Sequence, residues 1–168
     1  RKMYQCWYQT QSEKYPVQGT KHCSQLMRVP ELYYRRCPGT TCMTEIKAGA
    51  NGTVEVPIND SKGCGGVMRV APIGLYFTDT DISYEYSDML AAEAAALTHG
   101  HDLGFIPAAA LAHIVRAVTE SDIPLKAAIN DSIAAMEKLF PKAKHISEFT
   151  AIMQKAVQLA ETEQDDLS

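Results

Sequence analysis

Apolar residues recur at helical spacing through most of this chain, and a sheet has almost nothing to form from. Only residues 53–58 alternate as a strand would, and Pro57 interrupts them. From Asp81 or Ser83, either of which can cap a helix, a run to about residue 98 places Tyr86, Met89, Leu90, Ala94 and Leu97 on one side. Its Ala91, Ala92, Ala94, Ala95 and Ala96 permit close helix packing and predict burial on more than one face. Residues 106–119 follow, with Pro107 in the first turn, then 123–140 with Leu125, Ile129, Ile133, Met136 and Phe140 in register and Pro141 as a stop. The last helix starts at Ser147, carries Phe149, Ile152, Met153, Ala156, Val157 and Ala160, and frays into the acidic tail 161–168. Towards the N-terminus the pattern predicts helices over 2–11 (Tyr4, Trp7, Tyr8), 31–36 (introduced by Pro30) and 41–48 (after Pro38-Gly39), with a polar link at 12–23 and a loop at 49–61. Links of roughly three to seven residues favour antiparallel neighbours, so the expected fold is a compact all-α helical bundle forming one domain over residues 1–168.

Composition narrows the function classes. A hydrophobic content of 46% over 168 residues suits one packed core. A formal charge of -4, from 16 basic and 20 acidic residues, with the cations scattered, argues against nucleic acid as a partner. No apolar stretch reaches the roughly 18 residues that span a bilayer, so no membrane partner is expected. Five cysteines (Cys6, Cys23, Cys37, Cys42, Cys64) show no disulfide-framework spacing and are expected as free thiols in a reducing cytoplasm. A zinc site from His22, Cys23, Cys37 and Cys42 is disfavoured, because four residues rather than two separate Cys37 from Cys42.

The segment 59–77, NDSKGCGGVMRVAPIGLYF, carries the chemistry. Gly63, Gly65 and Gly66 let a ligand approach the backbone amides closely. If residues 68–75 are helical, those amides crowd a helix N-terminus, where peptide N–H groups and the macrodipole favour a diphosphate. The competing explanation is a glycine turn that packs tightly. Pro72 requires that the helix either start near Ala71 or kink there.

Three ordered blocks, RRCPGTTC at 35–42, NDSKGCGGVMRVAPIGL at 59–75 and AALTHGH at 95–101, resemble the ADP-ribosylglycohydrolase family over about residues 4–118. The resemblance implies hydrolysis of the bond between ADP-ribose and a protein side chain or small acceptor. It also implies that Ser61, Gly63, Cys64, Gly65 and Gly66 contact the diphosphate and adjoining ribose, and that His99 sits near the ribose and phosphate. Cys64 departs from the asparagine common in relatives, and Lys62 is either a phosphate-facing charge or solvated surface. Arg69 is expected to buttress the loop, and Met68 to lie in the core. A helix cap is the other role open to His99. His101 has weaker support, His113 is expected as a hydrogen-bonded core histidine, and His22 and His145 carry no signal.

Relatives hold two magnesium ions through acidic blocks near both ends of the domain, and neither block occurs here in its place. The TDTD run at 78–81 looks like such a block but lacks its leading glycine, so helix capping explains it better. The expected state is therefore the middle of a longer enzyme, inactive alone, with its magnesium ligands elsewhere and exposed apolar surface at Tyr4, Trp7 or the 149–160 stripe that favours association. ADP-ribose or an ADP-ribosylated protein is the expected partner. The alternatives are a catalytically inactive ADP-ribose-binding or structural relative, and an unrelated helical interaction domain.

Overall fold

A computed structural model describes residues 1–17 and 24–162, and every regular element among them is helical. Seven α-helices run in chain order: α1 (Lys2–Ser12), α2 (Thr40–Lys47), α3 (Ala71–Tyr76), α4 (Tyr84–Ala96), α5 (Asp102–Glu120), α6 (Leu125–Leu139) and α7 (Ile146–Thr162). The expected all-α bundle is what forms. Residues 53–58 make bends and no strand. The acidic tail beyond residue 162 and part of the 12–23 link, with His22 and Cys23, lie outside the described residues.

The bundle is organised around α5, against which α3, α4, α6 and α7 all pack. Its partner α4 presents Ala91, Ala92, Ala95 and Ala96, which meet Ala108, Ala109 and Ala112 in one buried cluster. Small side chains bring the two backbones close, so the alanine face turns inward. Tyr86 and Leu90, expected on the buried side of α4, are exposed instead. Ser83 is the residue that caps α4, its Oγ accepting from Tyr86 N at 3.3 Å.

Several boundaries move for identifiable reasons. Helix α5 starts at Asp102 and not at Ile106, because His101 acts as its N-cap, with Nδ1 accepting from Leu103 N at 2.9 Å. Pro107 consequently lies inside the helix. The 31–36 helix is replaced by two 3-10 turns, Gln25–Arg28 and Pro30–Leu32, the first capped by Ser24. By length and composition α5 could cross a membrane, contrary to the reading that no apolar stretch is long enough. Its apolar face is covered by four neighbouring helices, and its His113 and Arg116 are ion-paired, which marks it as a core helix.

Helix α3 crosses α5 at Gly74, where a Cβ would lie 2.4 Å from the Ala112 carbonyl oxygen. Helix propensity alone favours alanine over glycine by roughly 0.5–1 kcal/mol. Overpacking against a rigid backbone costs about 1–3 kcal/mol, so Gly74→Ala is expected to lower the thermal midpoint. A raised midpoint in a calorimetric scan would show that the crossing yields. A second, smaller cluster joins Cys42, Ile46 and Ala50 to Tyr4, Tyr8 and Leu97. At the periphery Trp7, Ile152 and Leu159 are exposed, and α7 buries only Phe149.

Candidate functional site

The glycine loop is pinned to the connection between α4 and α5 by one side chain that sequence reasoning passed over. Asn59 Nδ2 donates to the Thr98 carbonyl at 3.0 Å, while its Oδ1 accepts from the amides of Ser61 and Gly100, each at 3.0 Å. The His101 amide reaches the Ser61 carbonyl at 3.4 Å. Such close contact requires glycine opposite the loop: a Cβ at Gly100 would stand 2.3 Å from the Asn59 carbonyl oxygen. A local asparagine that bonds its own backbone two residues on was the available signal.

Within the loop, Ser61, Gly63, Cys64, Gly65, Gly66 and His99 do come together. His99 is buried beneath it, and a Cβ at Gly65 would meet its Nε2 at 3.2 Å, while one at Gly63 would meet the same atom at 3.4 Å. None of these glycines has positive φ, so their role is close approach and not backbone freedom. Gly66 is a packing residue, since its Cβ would lie 2.8 Å from Ala95 Cβ and 2.9 Å from the Gly104 carbonyl oxygen. The loop leads into a 3-10 turn, Val67–Arg69, and α3 begins only at Ala71. The expected α-helix N-terminus behind the amides is therefore absent, because Pro72 fits only the first turn of α3. What remains is a run of amides, at Gly63, Cys64, Gly65 and Gly66, that donates to no protein acceptor among the described residues. Ser61 Oγ lies 3.4 Å from Thr41 Oγ1, and Cys64 and Lys62 are exposed.

Arg69 supports this arrangement from below, as expected. Its guanidinium donates through Nη2 to the carbonyls of Ala94 (2.9 Å) and Ala95 (3.2 Å) and to Thr98 Oγ1 (2.6 Å). A cation on the last carbonyls of α4 complements the helix dipole. It also lies over the Tyr4 ring at 4.9 Å and within 3.6 Å of Cys42 Sγ. Met68, expected in the core, is exposed, because the 3-10 turn aims it outward. His99 Nδ1 meets Thr98 Oγ1 at 2.8 Å, and its Nε2 has no protein partner. Burial, and then the charge of Arg69, hold His99 below the ordinary histidine value, so it is neutral near pH 7. Its expected alternative role as a helix cap is not used: His101 caps α5, and Arg69 covers the end of α4.

A second polar cluster lies elsewhere in the core. His113 Nδ1 binds Asp88 Oδ2 at 2.7 Å and Nε2 binds Asp131 Oδ2 at 3.1 Å, joining α5 to α4 and α6. Burial pulls His113 down, but its bonds to Asp88 and Asp131 outweigh it and the net direction is up. Two N–H donors facing two carboxylates define an imidazolium. Beside it Arg116 bonds Glu120, Ser87 and the Ile82 carbonyl and covers the Tyr84 ring at 4.2 Å.

The TDTD run closes the α3–α4 turn. Thr78 Oγ1 donates to the Gly74 carbonyl, Thr80 Oγ1 to the Phe77 carbonyl, and the Asp79 amide to Glu120, while neither aspartate caps α4. Among the described residues no three His, Cys, Asp or Glu side chains could hold a metal ion together. Cys6 is disulfide-bonded, which corrects the expectation of five free thiols, while Cys37, Cys42 and Cys64 are free. His145, which the sequence left without a role, stacks on His101 at 4.5 Å and bonds Glu148.

Comparison with known proteins gives one finding: the family model described as ADP-ribosylglycohydrolase matches residues 1–168. The match extends well past residue 118, where the resemblance in the sequence had thinned to a generic helical pattern. No curated protein and no solved structure matches the chain.

Proposed function

The chain belongs to the ADP-ribosylglycohydrolase family, and on that premise we propose that it binds ADP-ribose for hydrolysis of the glycosidic bond joining ADP-ribose to an acceptor. The observation that carries this reading is the set of donors without protein acceptors among the described residues: the amides of residues 63–66, in a loop whose Gly63 and Gly65 lie against the Nε2 edge of His99. Peptide N–H groups and a neutral imidazole N–H suit the oxygens of a diphosphate and its adjoining ribose. Ser61 Oγ lies at the rim of the same surface. Hydrogen bonds to charged groups contribute about 1.5–3 kcal/mol each, so losing one donor weakens binding roughly tenfold or more. Arg69 acts through Thr98 and the α4 carbonyls and not on the ligand.

The magnesium pair implied by the family resemblance has no fitting donor set among the described residues. The chemistry assigned to these residues is therefore binding and orientation of the ADP-ribosyl group, which itself lowers the barrier by holding the anomeric carbon in place. Partners are ADP-ribose and ADP-ribosylated protein.

Calorimetric titration with ADP-ribose, with AMP and ribose 5-phosphate as controls, tests the reading. ADP-ribose is expected to bind more tightly than either control. Absence of ADP-ribose binding at millimolar concentration would remove the reading, and binding without turnover of an ADP-ribosylated peptide by a longer chain that includes the flanking segments would assign the catalytically inactive alternative.

A further inference from the structure

The buried Thr98 sits between a permanent cation and the histidine beneath the loop, and the direction of its hydrogen bonds can be deduced. Arg69 Nη2 can only donate, so at 2.6 Å it occupies a lone pair of Thr98 Oγ1. A second lone pair remains, but the buried hydroxyl proton has no other acceptor among the described residues, so it goes to His99 Nδ1 at 2.8 Å. A neutral imidazole that accepts at Nδ1 carries its proton on Nε2, the atom facing Gly63 and Gly65.

We propose that Thr98, oriented by Arg69, is a positioning residue that fixes His99 as the Nε2–H tautomer and so presents a neutral donor to the ligand oxygen in the glycine loop. Several observations support the arrangement. Thr98 is fully buried, so no solvent competes for its proton. The backbone around it is fixed twice, by the Asn59 bond to the Thr98 carbonyl and by the Thr98 amide bond to the Ala95 carbonyl at 3.1 Å. Burial and Arg69 both disfavour the imidazolium, so the donor is present without protonation. Without the hydroxyl, the two tautomers differ only by local electrostatics, and in one of them Nε2 is an acceptor that repels a phosphate oxygen.

The consequence for the reaction is a donor that is present without protonation above the ordinary histidine value. Affinity for an ADP-ribosyl ligand, which rests on the reading given above, should stay flat between about pH 7 and pH 8, since burial and the charge of Arg69 hold His99 below its ordinary value and the neutral ring dominates there. A site using imidazolium would instead weaken as pH rises through that window.

The test separates the tautomer from the ligand. In the ligand-free protein, two-bond 1H–15N correlation of the ring nitrogens is expected to show His99 Nδ1 as bare nitrogen and Nε2 as protonated. Thr98→Val, which keeps the shape and removes the hydroxyl, is expected to mix the two tautomers and to weaken ADP-ribose binding three- to tenfold. Thr98→Ser is expected to restore both. A bare Nε2 in the wild-type protein overturns the proposal, as does an unchanged tautomer in Thr98→Val or a serine variant that behaves like valine. Failure of the wild-type protein to bind ADP-ribose leaves the nitrogen spectra intact and counts against the functional reading instead.

Discussion

His113→Leu is expected to destabilise the protein by about 3–5 kcal/mol at pH 7, the range for removing one partner of a buried ion pair. The side chains of His113 and Asp88 are 4% and 2% exposed, so the carboxylate cannot turn to water when its imidazolium is lost. Its Oδ1 already has no hydrogen-bond partner, which leaves the bond of Oδ2 to His113 as the principal compensation for the buried charge, with Ser87 and the cation of Arg116 as lesser ones. Asp131 is 67% exposed and simply becomes solvated. A loss of this size is a large fraction of the 5–15 kcal/mol that typically separates folded from unfolded states. Denaturant unfolding of a double variant gives the control: Asp88→Leu with His113→Leu removes both charges and is expected to recover most of the loss. If His113→Leu alone moves the midpoint by less than about 1 kcal/mol, the cluster is not an ion pair in solution.

The same pair fixes a pH dependence. His113 has a folded value above its ordinary 6.5, so its contribution is complete below that pH and is lost as pH rises through the folded value. Stability should therefore fall on the alkaline side, by at most about 1.4 kcal/mol per pH unit for one proton. Burial raises Asp88 as well, which adds a decline of the same sign in the acid range, starting from its ordinary value of 3.8. Unfolding curves collected from pH 6 to pH 9 should show the alkaline slope in the wild-type protein and none in the double variant Asp88→Leu with His113→Leu. An equal slope in both would place the responsible group elsewhere.

The residues whose roles could be read in advance share a physical trait: local pattern decided them. Helical spacing placed α1, α2, α6 and α7 within one or two residues, since each has a one-sided apolar stripe and a proline, glycine or polar boundary. The start of α5 was missed because its cap is a histidine, whose ring nitrogen does what serine or aspartate usually does. On α4 the alanine run was legible as a close-packing face and is buried against α5, but of the larger apolar residues read on one side Tyr86 and Leu90 lie exposed, because the alanine contact decided the orientation. At the site, the motif located the loop and His99, but Asn59, Thr98 and Gly100 act across 39 to 41 residues of chain. No local spacing encodes such contacts. The loop glycines pack closely on His99, Cys42, Ala95 and Gly104, and α3 starts at Ala71, one of the two outcomes that Pro72 allowed, so no α-helix N-terminus stands at Gly66.

Gly65→Val is expected to abolish ADP-ribose binding while the protein stays helical. A Cβ at this position would stand 2.9 Å from Cys42 Sγ, 3.0 Å from His99 Cε1 and 3.2 Å from His99 Nε2. All three are side-chain atoms, so the clash is relieved by moving the imidazole and thiol and not by breaking the backbone. Valine adds two further methyl groups to the space in which the loop meets the Nε2 edge, and the donor it covers is the one assigned to the ligand. Gly66 supplies the contrast, because its Cβ would strike the Gly104 carbonyl oxygen at 2.9 Å and Ala95 Cβ at 2.8 Å. Gly66→Val should therefore unfold the α4–α5 contact, with a cost of about 1–3 kcal/mol or more. The two variants are told apart by measuring circular dichroism, thermal midpoint and ADP-ribose affinity together. Gly65→Val should lose at least tenfold in affinity, about 1.4 kcal/mol, with near-native helical content. Gly66→Val should lose thermal stability first. Unchanged affinity in Gly65→Val would remove the glycine loop from the binding surface.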